Sequence, residues 1–279
     1  MEAGLYIVPT PIGNLSDISL RAIEVLKQVS LIAAEDTRHS QVLLSHLGVS
    51  TPMVAHHEHS TAAAVARLLE RLSQGESVAL ISDAGTPLVS DPGYHLVREV
   101  QDAGLPVIPI PGACSLITAL CASGLPTDRF YFEGFLPAKS AQRRRRLETL
   151  SGQEVTLIFL EAPHRVAETL RDMLAIFDPG REVTLARELT KSFETIRRLP
   201  LIEMSAWVAG DTNQQRGELV LLLGPPVKQS SSKITEGALK ILHLLAAELP
   251  PRKASALAAE ITGARARDLY NALMLEKRE

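Results

Sequence analysis

Apolar positions in the first half of the chain follow two alternating rhythms. Short apolar runs at 5–9, 30–34, 77–81 and 106–110 predict strands. Between them lie helical spacings, such as Ile18, Ala22, Val25 and Val29 within 18–29. Ser60 is the expected N-cap of a helix running through Leu72 and closed by Gly75. Further helices are expected over 94–103 and 113–122, the second closing near Gly124. In the latter, Cys114 and Cys121 are expected to share a buried face. Strands alternating with helices in this way predict an α/β domain with a mainly parallel sheet.

The pattern breaks at 123–128 and restarts. Strands are expected over 130–133, 155–160 and 182–187, helices over 141–150 and 165–177, and later strands over 193–198 and 218–223. This is a second α/β domain. Residues 224–232, rich in Pro, Gly and Ser, read as a linker. Helical patterns follow near 235–248, 252–260 and 264–275, and the turn at 259–263 suits a helix-turn-helix or a small docking domain. The expected domains are therefore 1–123, 124–227 and 228–279.

Length and composition fit this division. The chain has 279 residues, of which 46% are hydrophobic and 22% charged, enough for sizeable cores. Its net charge of −3, from 29 Lys and Arg against 32 Asp and Glu, disfavours a wholly basic nucleic-acid binder. Aromatics at 4% disfavour a base-stacking platform. From Lys228 onward, however, nine basic residues face six acidic ones. Two cysteines make neither a disulfide framework nor a four-thiolate zinc site. Neither a basic leader followed by an apolar run nor an apolar stretch of about 20 residues is read, so a cytoplasmic protein without a membrane span is expected.

Ligands of open α/β sheets sit beyond the carboxyl ends of the strands. There the chain reads Pro9-Thr-Pro-Ile-Gly-Asn14, Glu35-Asp-Thr-Arg-His-Ser40, a loop over 82–93, and Pro111-Gly-Ala-Cys-Ser115. The loop over 82–93 exceeds the usual 2–6 residues of a βα connection and carries Asp83, Thr86, Ser90 and Asp91. Neither a G-x-G-x-x-G after the first strand nor a P-loop motif is present, which disfavours a standard dinucleotide fold and a P-loop nucleotidase. His56-His57-Glu58-His59 suits the wall of a polar pocket better than a metal site, because neighbouring strand residues face opposite ways. Lys139, Arg143, Arg144, Arg145 and Arg146 place five positive charges in eight residues, and an anionic, phosphate-bearing substrate fits such a patch.

The four loops together resemble the tetrapyrrole-methylase-like superfamily of S-adenosylmethionine-dependent methyltransferases, and within it the branch that methylates small-subunit ribosomal RNA. Glu161-Ala-Pro-His-Arg165, Arg187-Glu-Leu-Thr-Lys-Ser-Phe-Glu194 and Arg216-Gly-Glu-Leu-Val220 extend the similarity over about residues 4–224. The resemblance implies two α/β domains with S-adenosylmethionine in the cleft between them, plus a small C-terminal helical domain. It further implies a metal-free homodimer that methylates the 2′-hydroxyl of a cytidine in the 16S rRNA decoding centre of the small ribosomal subunit. Two departures stand out. The G-x-G-P-G-D of the tetrapyrrole enzymes is replaced at 9–14, which speaks against a porphyrinoid substrate, and Cys114 stands where the family usually has a serine. Methylation of a tetrapyrrole or other small molecule, and a non-catalytic RNA-binding assembly factor, are the rival readings.

On that resemblance Pro11, Gly13, Asp83, Ala84, Gly85, Thr86 and Ser115 are expected to line the cofactor site. Leu160, Glu218 and Leu219 would close it from the second domain. Deprotonation of a ribose hydroxyl calls for a base. The candidates are Glu35, Asp36, His39, His56 and Glu58, and the sequence does not choose among them. Arg38, Arg143, Arg144, Arg145, Arg146, His164 and Arg165 are the candidates for contact with RNA.

Overall fold

The computed structural model describes residues 1–57, 60–226 and 234–276. They form two compact units, Met1–Pro226 and a second one after it. The first unit holds two five-stranded sheets.

The first sheet contains β1 (Gly4–Ile7), β2 (Leu31–Ala34), β3 (Met53–Ala55), β4 (Ser77–Ile81) and β5 (Val107–Pro109), ordered β3-β2-β4-β1-β5. Every pairing is parallel, as the alternation predicts. The inner strands are covered on both faces, which explains their unbroken apolar runs. Tyr6, Ile32, Ala34 and Ala79 face one core with α1 (Leu20–Gln28) and α2 (Thr37–His46). Their neighbours Leu5, Leu31, Ala33, Val78 and Leu80 face the other, with α3 (Ala62–Ser73) and α4 (Tyr94–Asp102). Thr61, rather than Ser60, caps α3, its hydroxyl accepting from the Ala64 amide at 3.3 Å. The Ser60 hydroxyl instead accepts from the His57 amide at 2.9 Å.

The second sheet is mixed. It contains β6 (Phe130–Phe135), β7 (Thr156–Glu161), β8 (Glu182–Arg187), β9 (Thr195–Pro200) and β10 (Leu219–Leu223), ordered β6-β7-β10-β8-β9. Only the β6–β7 pair is parallel. On one face lie α6 (Ser140–Leu150), α7 (Val166–Leu174) and α8 (Leu201–Gly210). The other face receives α5 (Ser115–Ala122) through Leu116, Ala119 and Leu120. Ile12, from the loop after β1, enters this same cluster and joins the lobes. Cys114 is the residue preceding α5 and Cys121 is exposed, so the two do not share a buried face.

Two helices lie outside the expected pattern. The segment expected as a loop after β2 turns helical at Thr37, capped by the Asp36 carboxylate, which accepts from the Arg38 amide at 2.8 Å. α8 is apolar around much of its circumference, which hides its period.

The second compact unit carries α9 (Glu236–Glu248), α10 (Pro251–Thr262) and α11 (Ala266–Glu276). Leu242, Ala254, Ala258, Leu269 and Leu273 form its core. Gly263 ends α10 at φ 72°, the left-handed conformation of a helix C-cap. Glu58 and the expected boundary at 227 lie outside the described residues. No helix of the described residues is long and apolar enough to cross a membrane.

Candidate functional site

The loops at the carboxyl edge of the first sheet are tied to one another by backbone contacts. Thr10 and Gly85 exchange amide–carbonyl bonds of 2.9 and 3.0 Å. The Thr10 hydroxyl donates to the Ser82 carbonyl at 3.1 Å, and the Thr86 hydroxyl to the Ala113 carbonyl at 2.9 Å. Gly85 has φ +81°, and a Cβ there would sit 3.3 Å from Ile12. The chain approaches itself this closely only because glycine carries no side chain.

The second lobe meets this edge at residues 188–191. The Asn14 amide donates to the Thr190 hydroxyl at 3.1 Å. A Cβ on Gly13 would lie 2.6 Å from Lys191 Cγ and 2.9 Å from both the Leu189 carbonyl and Thr190 Oγ1. Glu188 and Thr190 hold φ of 51° and 64°, uncommon for residues with side chains. Their partners hold them there. The Glu188 amide donates to the Glu218 carbonyl at 2.9 Å, and the Thr190 amide to the Glu194 carboxylate at 2.7 Å. Lys191 bridges Glu188 at 3.1 Å and Glu218 at 3.2 Å. Burial would lower the Lys191 pKa, but these two carboxylates raise it.

Two cavities open here. The smaller, about 320 Å³, lies between the lobes: Thr10, Pro11, Ile12, Gly13, Ser82, Asp83 and Ala84 on one side, Lys191 and Glu218 on the other, and His39 and Ser40 of α2 at its end. Ser40 is buried and its hydroxyl has no hydrogen-bond partner among the described residues. The larger cavity, about 1050 Å³, is walled by Glu35, His56, Ser90, Asp91 and the start of α4. A chain of carboxylates links their walls. Glu35 accepts from the Asp83 amide at 3.3 Å, and Asp83 from the Asp36 amide at 3.2 Å. Leu88 and Ser90, in the loop along the larger cavity, hold φ of 73° and 65°. Such strain clusters at functional sites.

The structure brings Pro11, Gly13, Asp83, Ala84 and Glu218 together at the smaller cavity, with Gly85 packed behind Ile12. The Thr86 hydroxyl is engaged by Ala113, and Ser115 opens α5. Leu160 packs in the cluster that joins the lobes. The Leu219 side chain lies in the core on the far face of the second sheet, because alternate residues of β10 point to opposite faces. Thr10, Ile12, Ser40 and Lys191 escaped sequence reasoning, although all sit within or beside the quoted motifs.

Among the candidate bases, Asp36 is corrected. Its carboxylate caps α2 and pairs with Arg38 at 2.9 Å, and the Arg38 hydrogen bonds hold its pKa down to about 2. His39 sits exposed at the smaller cavity. Glu35 and His56 both line the larger one. His56 is 5% exposed, its Nδ1 has no hydrogen-bond partner among the described residues, and burial followed by the neighbouring His57 lowers its pKa. Asp91 was not among the candidates. Burial, opposed by the Ser82 hydroxyl and reinforced by Glu35 and Asp83, pushes its pKa up to about 6.

The arginine patch divides. Arg143 is 0% exposed and bonds Asp172 at 2.7 Å, so it is a buried structural cation rather than an RNA contact. Arg165 is likewise corrected: its guanidinium donates to the Leu136 and Pro137 carbonyls at 2.6 and 3.3 Å and lies 3.2 Å from Glu161. Arg144 reaches Asp172 at 2.6 Å, and Arg146 grips Glu133 at 2.5 and 2.6 Å. Arg145 and His164 are exposed, and Arg38 is 90% exposed.

Comparison with known proteins places this geometry. The family model for Tetrapyrrole (Corrin/Porphyrin) Methylases matches residues 4–205, and that for the RsmI C-terminal HTH domain matches 233–278. A Pseudomonas aeruginosa protein named ribosomal RNA small subunit methyltransferase I is 58% identical over 272 residues, covering 97% of this chain and 96% of that one. The chain belongs to the tetrapyrrole methylase family, in its ribosomal RNA small subunit methyltransferase I branch. A second member of the branch, from Escherichia coli O157:H7, is 52% identical and covers 96% of this chain and 94% of its own. Among solved structures, the methyltransferase CobJ superposes with a TM-score of 0.59 at 16% identity, over 80% of this chain and 94% of that one. A Thermus thermophilus uroporphyrin-III C-methyl transferase complexed with S-adenyl homocysteine gives 0.55 at 21%, over 79% and 97%. At these identities the likeness concerns the fold.

Proposed function

We propose that the chain transfers a methyl group from S-adenosylmethionine to the 2′-oxygen of a cytidine ribose in 16S rRNA, in the decoding centre of the small ribosomal subunit. The observation that carries this reading is the near-full-length similarity to proteins named ribosomal RNA small subunit methyltransferase I. The residues of the smaller cavity fit the cofactor. Its volume falls within the roughly 300–1,000 Å³ of small-molecule sites. Asp83 and Glu218 offer negative charge to a sulfonium or an amino group, and Ser40 offers an unmatched hydroxyl.

S-adenosylmethionine supplies a methyl on a sulfonium that is already a good leaving group. The chain's task is then positioning. The loops at 10–13 and 82–84 and the segment at 188–191 hold the cofactor, and the larger cavity receives the nucleotide. Alignment of this kind supplies about 7–11 kcal/mol of a barrier in favourable cases. A target base in folded RNA is unstacked on entry. The domains 1–123 and 124–227 act as the two halves of the grip, and 228–279 as an accessory helical domain. The enzyme works in the cytoplasm as a homodimer. Phe130, Tyr131 and Phe135, exposed on the edge strand β6, offer an apolar surface for pairing.

The test is tritium transfer from labelled S-adenosylmethionine to small subunits lacking the modification, to free cytidine and to a tetrapyrrole. Label in 2′-O-methylcytidine from subunits alone is expected. Label on the tetrapyrrole, or on free cytidine as readily as on subunits, contradicts the reading. For the RNA surface, Arg145→Ala is expected to weaken subunit binding and flatten its salt dependence by about one phosphate contact, with cofactor affinity unchanged. A filter-binding salt series checks it.

A further inference from the structure

We propose that Asp91, on the wall of the larger cavity beside Glu35 and His56, is the catalytic group that takes the proton from the attacking ribose hydroxyl. The inference rests on the functional reading above and names a residue for it.

Among the described residues, the other candidate bases are otherwise engaged or placed. The Asp36 carboxylate is committed to capping α2 and to Arg38. Glu35 already accepts from the Asp83 amide. His39 sits at the cofactor side, away from the larger cavity. His56 is more than nine-tenths buried, lines the cavity, and has an Nδ1 with no hydrogen-bond partner among the described residues. A buried polar atom without a partner is costly unless something binds it. That orphan is independent of the carboxylates and marks the cavity as a place for a polar ligand. With its pKa lowered, His56 is neutral at pH 7 and suited to hydrogen-bond the nucleotide.

Asp91 has the remaining properties. The strained residues Leu88 and Ser90 immediately precede it, and Gly93 follows at φ +126° with a Cβ position 2.8 Å from Leu80. Asp91 is half-buried and lines the cavity. Ser90 also approaches Gly134 of β6, where a Cβ would lie 3.5 Å from its hydroxyl, so the loop touches both lobes. Among the described residues, the titratable groups lining the cavity with Asp91 are Glu35, His56, His57, Tyr94, His95 and Glu99, and Ser82 and Asp83 act on it from its own loop. Burial, reinforced by the Glu35 and Asp83 charges, pushes the carboxyl's pKa up to about 6, and a base nearer neutrality transfers protons more efficiently.

The step balances. The ribose oxygen forms its bond to the methyl carbon as the carbon–sulfur bond breaks, and that electron pair stays on sulfur as a neutral thioether. The hydroxyl proton moves to Asp91 and from there to water.

Single-turnover methyl transfer to unmodified small subunits, followed from pH 5 to 9, tests the assignment. For the wild type the rate is expected to rise through about pH 6 and level off, since the base acts only when ionised. Asp91→Asn is expected to lose about 10²–10⁴-fold in rate, with S-adenosylhomocysteine affinity within twofold, and to lose the acid limb. Glu35→Gln, which removes a neighbouring negative charge, is expected to move that limb to lower pH. An Asp91→Asn enzyme within threefold of wild type, or one keeping the same acid limb, overturns the assignment. So does an unmoved limb in Glu35→Gln if Asp91→Asn fails to fold. A wild type that labels no subunits at any pH overturns the functional reading and this assignment with it. Active wild type with active Asp91→Asn overturns only the latter.

Discussion

Replacing Arg143 with alanine is expected to destabilise the protein by about 3–5 kcal/mol, the usual effect of removing one partner of a buried ion pair. Arg143 is fully buried in α6 and bonds Asp172 of α7 at 2.7 Å, the Ala138 carbonyl at 3.2 Å, and lies 3.6 Å from Glu168. Asp172 is itself buried and also accepts from Ser140 at 3.0 Å. Burial alone would raise its pKa, but the hydrogen bonds from Arg144, Arg143 and Ser140 bring it below the ordinary carboxylate range. A carboxylate with a lowered pKa in the fold contributes stability above its unfolded pKa and loses that contribution as pH falls. The alanine variant should therefore approach wild-type stability on acidification. Arg145→Ala, at an exposed position on the same helix, should stay within about 0.5 kcal/mol of wild type. Urea unfolding at neutral and acid pH checks both, and equal effects from the two variants would contradict the buried-pair account.

Gly13→Ala is expected to weaken S-adenosylhomocysteine binding by about 10–100-fold, corresponding to about 1–3 kcal/mol of overpacking. The new methyl would stand 2.6 Å from Lys191 Cγ and 2.9 Å from the Leu189 carbonyl, which belongs to the backbone of the other lobe. Lys191 can swing aside, but the carbonyl cannot move without shifting the segment held by Glu188 and Glu218. The variant separates the two walls of the smaller cavity while leaving both cores intact. Calorimetric titration beside a thermal melt checks this, and unchanged affinity would place the cofactor elsewhere.

The first lobe was legible because its sheet is parallel and covered on both faces. Leu5 to Ile7, Leu31 to Ala34 and Val78 to Ile81 then read as unbroken apolar runs. α2 was hidden, since Thr37, Arg38, His39 and Ser40 read as a polar loop and their helix is fixed by the Asp36 cap. The second sheet's mixed direction follows from chain return paths, which hydrophobic period does not encode. At the site, the loops carried the signal. Pro11, Gly13, Asp83 and Ala84 meet because strand ends share one edge. The roles of Arg143 and Arg165 depended on distant partners, Asp172 and the carbonyls of 136–137. A run of four arginines looks alike whether it faces solvent or a buried acid. Asp91 was visible as a residue but not as a perturbed one, because its burial comes from packing that no local pattern reveals.

The account depends on the cavity between the two lobes being where the methyl donor sits. A crystal structure with S-adenosylhomocysteine tests this directly. The account predicts ligand density bounded by Thr10, Gly13, Asp83 and Ala84 on one side and by Lys191 and Glu218 on the other, with its sulfur toward the Glu35–Asp83 bridge. Density elsewhere on the chain, or closure of that cavity by protein side chains in crystals grown with saturating ligand, would contradict it.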